Sequence, residues 1–482
     1  MTLKPAFLTL LLIGLSASAQ ESAEARLERM EAQMKQMQSQ LEQRDSAVKE
    51  LRGQVKDMET KQAETAEAVS QYHRGEAKRL SLSGNGPLGD LKKAAEGLRF
   101  SLSTSIVGGV STATDSQLED LNAGGHDPKR RGFTLQGVEL GIGGTLAGLF
   151  DAQANIVFLE DEVELEEAYV KTREMPADLQ LKIGYYLTEF GYANSRHMHN
   201  WDFIDQSLVG SRLLGADGMR AVGAQLSWLA PLDWYSEVII GLQNSGGDHS
   251  PSFRGAGHVH EEEEHGEHPF EEGVGGYPYN SHETRDLSDT LLSLRWVNGG
   301  HLDALNAETQ LGLSGAFGRN HSGGLTALSG VDLVMKWEGE GLQRPAWVWQ
   351  SEIMQRHYQG DGFSGEDENG DPISLDAETL RDWGAYSQVV HSINNSWGLG
   401  LRGEILRGSG DSFEEAIAYD RNDDPSRDNR LRVSPLLDYH FNEQTRLRLQ
   451  YNYDKASHLD STAHSVWLGF DMMLGSHPAH RF

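Results

Sequence analysis

The stretch "TRLRLQYNYD" occupies residues 445–454, and its side chains alternate in kind along the chain. Leucine and tyrosine side chains point one way, and arginine, amide and aspartate side chains point the other way. Such a period of two predicts a β-strand. A soluble β-sandwich also alternates, but it does not usually direct arginines and amides to its hidden face on strand after strand. A transmembrane barrel does, because apolar side chains face lipid and polar ones face a wet lumen.

The same alternation continues from about residue 98 to the end of the chain. We therefore predict an all-β transmembrane barrel of about 16 antiparallel strands over residues 98–482. The candidate strands are 98–114, 132–146, 149–160, 163–173, 178–190, 218–230, 234–245, 285–297, 305–319, 328–340, 345–358, 380–393, 396–408, 428–440, 444–455 and 462–474.

The joins between these strands alternate in length. Short joins such as "AGLF", "APLD", "NNS" and "FNEQ" are followed by long ones, and the join at 160–163 is a short exception. Bacterial outer-membrane barrels have short periplasmic turns and long outer loops, so we expect the long joins outside and the C-terminus, with its final Phe482, in the periplasm. The long joins are 115–131, 191–217, 246–284, 359–379 and 409–427.

The N-terminus and the composition indicate export. Lys4 precedes an apolar run over 6–15, and Ala17-Ser18-Ala19 follows, which predicts a signal peptide over residues 1–19. The apolar run is too short for a membrane anchor. The chain has no cysteine and therefore no disulfide, and its net charge of −30 argues against a nucleic-acid partner. Its 54 glycines and 13 prolines suit strands and turns better than helices.

Residues 20–75 predict an α-helical coiled coil in the periplasm, and residues 76–97 resemble a linker. Most residues at the two seam positions of a heptad are apolar, and their flanks are charged. A lone charged helix is the alternative, but one helix cannot bury such a stripe. We therefore expect an oligomer, with a homotrimer as the best match to a barrel. The seam positions are Leu27, Met34, Leu41, Val48, Val55, Gln62 and Val69, with Ala23, Met30, Met37, Arg44, Leu51, Met58 and Thr65.

The segment "GFTLQGVELGIGGTLAGLFDAQANIVFLEDEVELEEAYVKTREMPADLQLKIGYYLTEFGYANS", residues 132–195, resembles the phosphate-selective porin family. The resemblance covers about residues 98–230 and implies a 16-stranded trimeric barrel with an N-terminal coiled coil. The resemblance does not imply phosphate selectivity, because the long loops of this chain bear acidic residues and histidines. The end "LGSHPAHRF" and a histidine-rich loop are also similar to zinc-regulated outer-membrane receptors. No plug domain is visible, so transport driven by TonB is not expected.

The longest outer join, 246–284, contains "GHVHEEEEHGEHPFEEG". Imidazole and carboxylate groups suit zinc, nickel or copper, and consecutive glutamates raise the local cation concentration. The spacing is not that of a structural zinc site, so an exchangeable capture site and a solvated acidic loop both remain open. Zn²⁺, bound as a transported or sensed ion, is the expected metal, and no organic cofactor is predicted. The candidate ligands are His258, His260, His265, His268, Glu261, Glu264, His249 and His282.

A second candidate is "SRHMHNWDF", residues 195–203, in a long join of the type that often folds into a barrel lumen. His197 and His199, with Asp202, would there contact an ion in the constriction. The alternative, which we favour at this point, is that they are ordinary loop residues packed under Trp201.

A third feature is a basic stripe of arginines that share the polar face of three successive strands. Neighbouring strands would set them side by side on the lumen wall, where they would line the pore opposite Glu404, Asp438 and Asp454. Ion pairing inside the barrel is the alternative, and the two interpretations are compatible. The arginines are Arg402, Arg430, Arg432, Arg446 and Arg448.

Together these features predict a bacterial outer-membrane porin for passive uptake of small solutes that concentrates zinc or a similar divalent cation. Its partners would be outer-membrane lipid, itself as a homotrimer, and metal ions or small solutes. A porin selective for phosphate or dicarboxylates through the arginine-lined lumen is one alternative. Another is a structural tether or adhesin whose coiled coil contacts peptidoglycan. No enzyme signature such as Gly-x-Ser-x-Gly or His-Glu-x-x-His is present.

Overall fold

The computed structural model describes residues 98–246, 249–254, 273–278, 289–366, 372–414 and 416–475. The predicted signal peptide, coiled coil and linker, residues 1–97, lie outside the described residues.

Sixteen antiparallel strands form one closed barrel, in which each strand pairs with its neighbours along the chain and β20 pairs with β1. The barrel strands are β1 Arg99–Ser111, β2 Gly132–Leu146, β3 Phe150–Phe158, β4 Val163–Thr172, β5 Leu179–Leu187, β6 Arg220–Leu229, β7 Tyr235–Gln243, β8 Leu291–Leu302, β9 Ala307–Arg319, β10 Leu325–Trp337, β11 Trp347–Gly360, β14 Glu378–Ser392, β15 Trp397–Ser409, β18 Arg430–Asn442, β19 Thr445–Ala456 and β20 Ala463–Gly475.

Shorter elements lie in the joins. Two small hairpins pair β12 Phe363–Glu366 with β13 Pro372–Leu375, and β16 Ser412–Glu414 with β17 Ile417–Tyr419. Among the described residues the α-helices are α1 Asp115–Leu121 and α2 Leu208–Leu214, and 3₁₀ turns occupy Pro176–Asp178, Met198–Asn200, Val274–Gly276 and Arg421–Asp423. Within the described ranges, no helix has the length and apolar character that crossing a membrane requires.

The structure confirms the predicted fold class and each of the 16 predicted strands, most of them within three residues of the predicted ends. The largest difference is at β8, which begins at Leu291 and continues to Leu302, whereas the alternation predicted 285–297. The two consecutive glycines of "NGG", residues 298–300, interrupt the apolar alternation. The ladder nevertheless continues across them, because β9 pairs with β8 as far as Leu302.

Strand β19 shows how the barrel separates its two faces. Arg448, Gln450 and Asn452 are fully buried inside, while Leu449 on the outer face is 44% exposed. Large apolar side chains are exposed on the outer face of strands around the barrel. Exposed aromatic side chains also lie beside the short joins, as at a membrane–water interface. They include Phe150, Trp234, Trp347, Trp397 and Phe441.

Candidate functional site

The join between β5 and β6, residues 188–219, packs against the inner wall of the barrel, and we name it the inserted loop. Its helix α2 contacts β11, β14 and β15. Leu208, Val209 and Leu213 on α2 form a buried apolar cluster with inward-facing wall residues such as Met354 and Leu406. Burying this much apolar surface against the wall holds the loop inside the lumen.

Local sequence explains where α2 begins and ends. The hydroxyl of Ser207 accepts a hydrogen bond from the backbone N–H of Gly210 at 3.3 Å, which caps the helix N-terminus. Gly215 follows the helix with a φ of 108°, a conformation that a residue with a Cβ rarely adopts. The loop therefore enters and leaves the helix within a few residues and stays close to the wall.

The middle of the inserted loop is fixed to the wall through Asp205, which is 1% exposed. Its carboxylate pairs with Arg402 on β15, and with Arg432 on β18 at 2.9 Å. The amides of Gln450 and Asn452 on β19 each donate to the same carboxylate at 2.7 Å. We name Asp205, Arg402 and Arg432 the arginine anchor.

The arginine anchor has a clear electrostatic consequence. Burial alone would raise the pKa of Asp205, but the guanidinium groups of Arg402 and Arg432 outweigh it and lower this pKa to about 2. Asp127, on the join that precedes β2, lies near Asp205 without such a pair. Burial and the charge of Asp205 raise the pKa of Asp127 to about 6.

The structure brings the five predicted pore-lining arginines together on β15, β18 and β19, which are neighbours in the barrel. Arg448 donates to the carbonyl of Phe203 at 2.7 Å and Arg446 to that of Trp201 at 2.8 Å, so both hold the inserted loop. Arg430 pairs with Asp428 at 2.7 Å. The side chain of Arg446 is 16% exposed, and those of the other four are 5% exposed or less. Their role in lining the pore stays a prediction, whereas their contacts with the loop and neighbouring joins are direct.

The acidic residues expected across the lumen from these arginines lie on the same stretch of wall instead. Glu404 faces Arg432 in the β15–β18 ladder, and Asp454 pairs with Arg432 at 2.6 Å. Asp438 is the partner of Arg448 in the β18–β19 register. That expectation was wrong, because adjacent strands in register place opposite charges side by side rather than across the barrel.

A second part of the wall carries carboxylates, and a β-bulge in β4 positions two of them. Asn155 on β3 pairs with Glu167, and the next residue, Ile156, pairs with Leu165, so Glu166 is the extra residue. The bulge lets the adjacent residues Glu166 and Glu167 both point inward, where they are 5% and 6% exposed. On β2, Glu139 is buried beside them.

The inserted loop places His197 among these carboxylates. Its Nδ1 lies 2.7 Å from Glu166 Oε2, and its Nε2 lies 3.0 Å from Glu167 Oε2. Glu139 Oε1 is 3.8 Å from the same Nδ1. Burial would lower the pKa of His197, but Glu166 and Glu139 outweigh it and raise this pKa well above its ordinary value. We name His197, Glu139, Glu166 and Glu167 the glutamate anchor.

His199, the other predicted metal ligand of this loop, contacts the same group. Its Nδ1 lies 2.6 Å from Glu139 Oε2, and its ring stacks on that of His197 at a centroid distance of 5.8 Å. Asp202 is half-buried elsewhere, and its carboxylate accepts from the amide of Gln388 at 3.3 Å. The structure therefore joins the two histidines with wall glutamates and not with Asp202.

A neighbouring cluster contains His249, the described member of the histidine-rich outer join. Its Nε2 lies 3.4 Å from Glu164 Oε1, and its Nδ1 lies 3.9 Å from Asp217 Oδ2. The guanidinium of Arg220 contacts Glu164 and lies 3.3 Å from His249 Nε2. The other predicted ligands of that join, His258, His260, Glu261, Glu264, His265, His268 and His282, lie outside the described residues.

Two cavities adjoin each other, and the smaller one lies beside the inserted loop. One, of about 230 Å³, reaches His197 and Glu167 and is also lined by Lys171, Lys182 and Arg196. The other, of about 860 Å³, borders the short joins at the end of the barrel. The two share the lining residues Gln180, Ser227, Tyr235, Glu237 and Gln310.

A third cavity, of about 270 Å³, borders Asp202, Lys336 and Arg402. Tyr192 and Arg196 line both this cavity and the one of about 230 Å³. The guanidinium of Arg196 lies over the ring of Tyr192 at 3.8 Å, so this pair stands between the two spaces.

Comparison with known proteins gives no residue assignment. No family model matches the chain. An uncharacterized protein of Aquifex aeolicus (strain VF5) is 28% identical over 396 residues, 76% of each chain. The solved structures with a similar barrel include an anion-selective porin from Comamonas acidovorans, which is 9% identical with a TM-score of 0.41 and covers 78% of this chain and 98% of that one.

Two further outer-membrane proteins have the same level of likeness. The outer-membrane channel DcaP of Acinetobacter baumannii is 9% identical, with a TM-score of 0.43, over 78% of this chain and 96% of that one. OmpT of Vibrio cholerae is 9% identical, with a TM-score of 0.43, over 78% and 97%. The fold itself defines the class as a closed antiparallel β-barrel of 16 strands, and membership of the phosphate-selective family is not shown.

Proposed function

We propose that this protein is a bacterial outer-membrane porin for passive uptake of small solutes. The observation that carries the proposal is the cavity of about 230 Å³ between the inserted loop and the wall formed by β3 to β9, which shares five lining residues with the cavity of about 860 Å³ at the end of the barrel. A loop packed against the wall narrows a barrel without closing it, and charged side chains along the remaining space favour polar solutes over apolar ones.

Conductance in planar lipid bilayers tests this proposal. Purified full-length protein is expected to give discrete steps of ionic current, and neutral polymers too large for the passage should not reduce that current. A complete lack of conductance would overturn the porin and favour the alternative of a structural tether or adhesin.

Anion selectivity is a second candidate, and the cations along the passage favour it. Lys171, Lys182 and Arg196 line the cavity of about 230 Å³, but Glu167, Glu189 and Glu237 line it as well. The reversal potential under a salt gradient separates the possibilities. A preference for anions would support a porin for phosphate or dicarboxylates, and a preference for cations would rule out that anion-selective porin.

We also propose that the histidine- and glutamate-rich join captures zinc or a similar divalent ion before solutes enter the passage. Its composition supports this, because imidazole and carboxylate groups bind such ions and cluster there. Calorimetry should compare the wild type with a variant carrying alanine at His258, His260, His265 and His268. Zinc binding that is equal in the two proteins would overturn the capture role.

A further inference from the structure

We propose that Glu139, Glu166 and His197 form a site for one divalent first-row transition-metal ion, such as Zn²⁺ or Mn²⁺, inside the barrel. One ligand atom from each side chain can be chosen so that the three lie within 4.8 Å of one another. The side chains come from β2, β4 and the inserted loop, and all three are buried. The inference goes beyond the proposed passage of solutes and does not depend on it.

The two ring nitrogens of His197 carry the argument. Nδ1 lies 2.7 Å from a Glu166 oxygen, and Nε2 lies 3.0 Å from a Glu167 oxygen. A neutral imidazole has one N–H and one lone pair, so one of these contacts would set a lone pair against a carboxylate oxygen. A cation must therefore lie at one nitrogen, either as a second proton or as a metal ion.

The surroundings fit a metal ion at Nδ1. Nε2 then keeps its proton, and this N–H donates a hydrogen bond to the carboxylate of Glu167. A carboxylate in this position commonly orients a metal-bound imidazole. Glu167 is held in turn, because its Oε1 accepts from the backbone N–H of Leu187 at 3.0 Å. The imidazole thus has a fixed tautomer and a fixed direction.

The ligand Glu139 is oriented in the same way. Its Oε2 accepts from Nδ1 of His199 at 2.6 Å, and its Oε1 accepts from the amide of Asn155 at 2.6 Å. The amide of Asn200 lies 2.8 Å from Nε2 of His199, so His199 can donate from Nδ1 as a neutral ring. Glu139 therefore presents Oε1 towards the space that it shares with Glu166 and His197.

The donor set and the access route decide the class of ion. One imidazole with two carboxylates suits Mn²⁺, Fe²⁺ or Zn²⁺, and the chain has no thiolate for softer ions. The cavity of about 230 Å³ reaches His197, Glu167 and Asn155, which gives an ion a path from the lumen. An ion bound there would tie the inserted loop to β2 and β4.

The neighbouring cluster of His126, Glu164 and Asp217 also lies within 4.8 Å, yet it does not carry the same proposal. The guanidinium of Arg220 contacts Glu164 and donates to the carbonyl of Asp217 at 3.3 Å, so a fixed cation already neutralises that group. In the proposed site, the guanidinium comes no nearer than 3.9 Å, at Glu166 Oε1, while Oε2 faces His197.

Calorimetry with Zn²⁺ and with Mn²⁺ tests the site in a full-length background protein whose His258, His260, His265 and His268 are alanine. This background removes four candidate histidine ligands of the outer join that would compete for the ion. We expect one ion per chain, and binding at least about tenfold weaker in Glu166→Gln. The matched control is Glu189→Gln, since Glu189 lines the same cavity but pairs with Lys182 at 3.6 Å. The control should bind as the background does.

A second variant keeps the test decisive if Glu166→Gln does not fold. Asn155→Ala retains every proposed ligand and removes one hydrogen bond to Glu139, so it should weaken binding about tenfold. Absence of binding in the background protein, or binding by both variants as tight as that of the background protein, would overturn the site. If the background protein binds no metal ion but conducts in bilayers, the metal site alone is wrong. If it binds the ion but does not conduct, the proposed porin function alone is wrong.

Discussion

The two anchors of the inserted loop use opposite arrangements of charge. At the arginine anchor the wall supplies cations, Arg402 and Arg432, and the loop supplies the carboxylate of Asp205. At the glutamate anchor the wall supplies carboxylates, and the loop supplies the imidazole of His197. A guanidinium stays charged at every physiological pH, whereas an imidazole can exchange its proton for a metal ion. The first anchor is therefore suited to permanent attachment and the second to exchange.

Breaking the arginine anchor should cause the largest loss of stability. Asp205→Ala leaves Arg402 and Arg432 buried with less countercharge, and removing one partner of a buried ion pair costs about 3–5 kcal/mol. Urea unfolding of the refolded barrel, followed by tryptophan fluorescence, measures the loss. Asp460→Ala, at an exposed position, is the matched control and should unfold as the wild type does. A loss of equal size in both variants would show that Asp205 has no special part.

A smaller loss is expected at the glutamate anchor. His197→Ala removes the cation among Glu139, Glu166 and Glu167, but buried carboxylates can take up protons and so limit the cost. We expect about 1–3 kcal/mol by the same unfolding measurement. His464→Ala, on the exposed face of β20, is the control. A loss at His197 that exceeds the loss at Asp205 would reverse the proposed difference between the anchors.

The sequence predicted the barrel well because each strand carries its own alternation of side chains. It predicted the anchors poorly because their partners are far apart along the chain. Asp205 and Arg432 are 227 residues apart, and no local pattern joins them. In a regular strand the adjacent residues Glu166 and Glu167 of "ELEEA" would face opposite sides, and only the bulge at Glu166 turns both inward. The available signal was chemical: arginines that share the polar face of three successive strands indicate ion pairing inside the barrel, which is the alternative to their lining the pore.

The ion selectivity of the passage beside the anchors should depend on the charged residues that line it. Lys182 lines it, lying 4.9 Å from the ring centre of Tyr169. Lys182→Gln should move the reversal potential towards cation preference. The expected change in the ratio of cation to anion permeability is roughly fivefold, which corresponds to about 1 kcal/mol. Glu189→Gln should move it the opposite way. If Arg446→Gln has a larger effect than Lys182→Gln, the predicted arginine stripe lines the pore after all.

The smallest expected effect concerns two neighbouring buried carboxylates, those of Asp127 and Asp205. Asp127 accepts from the backbone N–H groups of Gln206 at 2.7 Å and Gly124 at 3.0 Å, and its pKa is raised to about 6, whereas that of Asp205 is lowered to about 2. Between the unfolded pKa of 3.8 and about 6, the folded carboxyl holds more protons than the unfolded one, so stability rises as pH falls. From about pH 6.5 to about pH 5.5 this gain is about 0.7 kcal/mol. Asp127→Asn should lose the gain while Asp205 stays ionised throughout. An unchanged pH dependence in the variant would mean that Asp127 stays charged in the folded protein, so the arginines of the anchor would neutralise both carboxylates and not Asp205 alone.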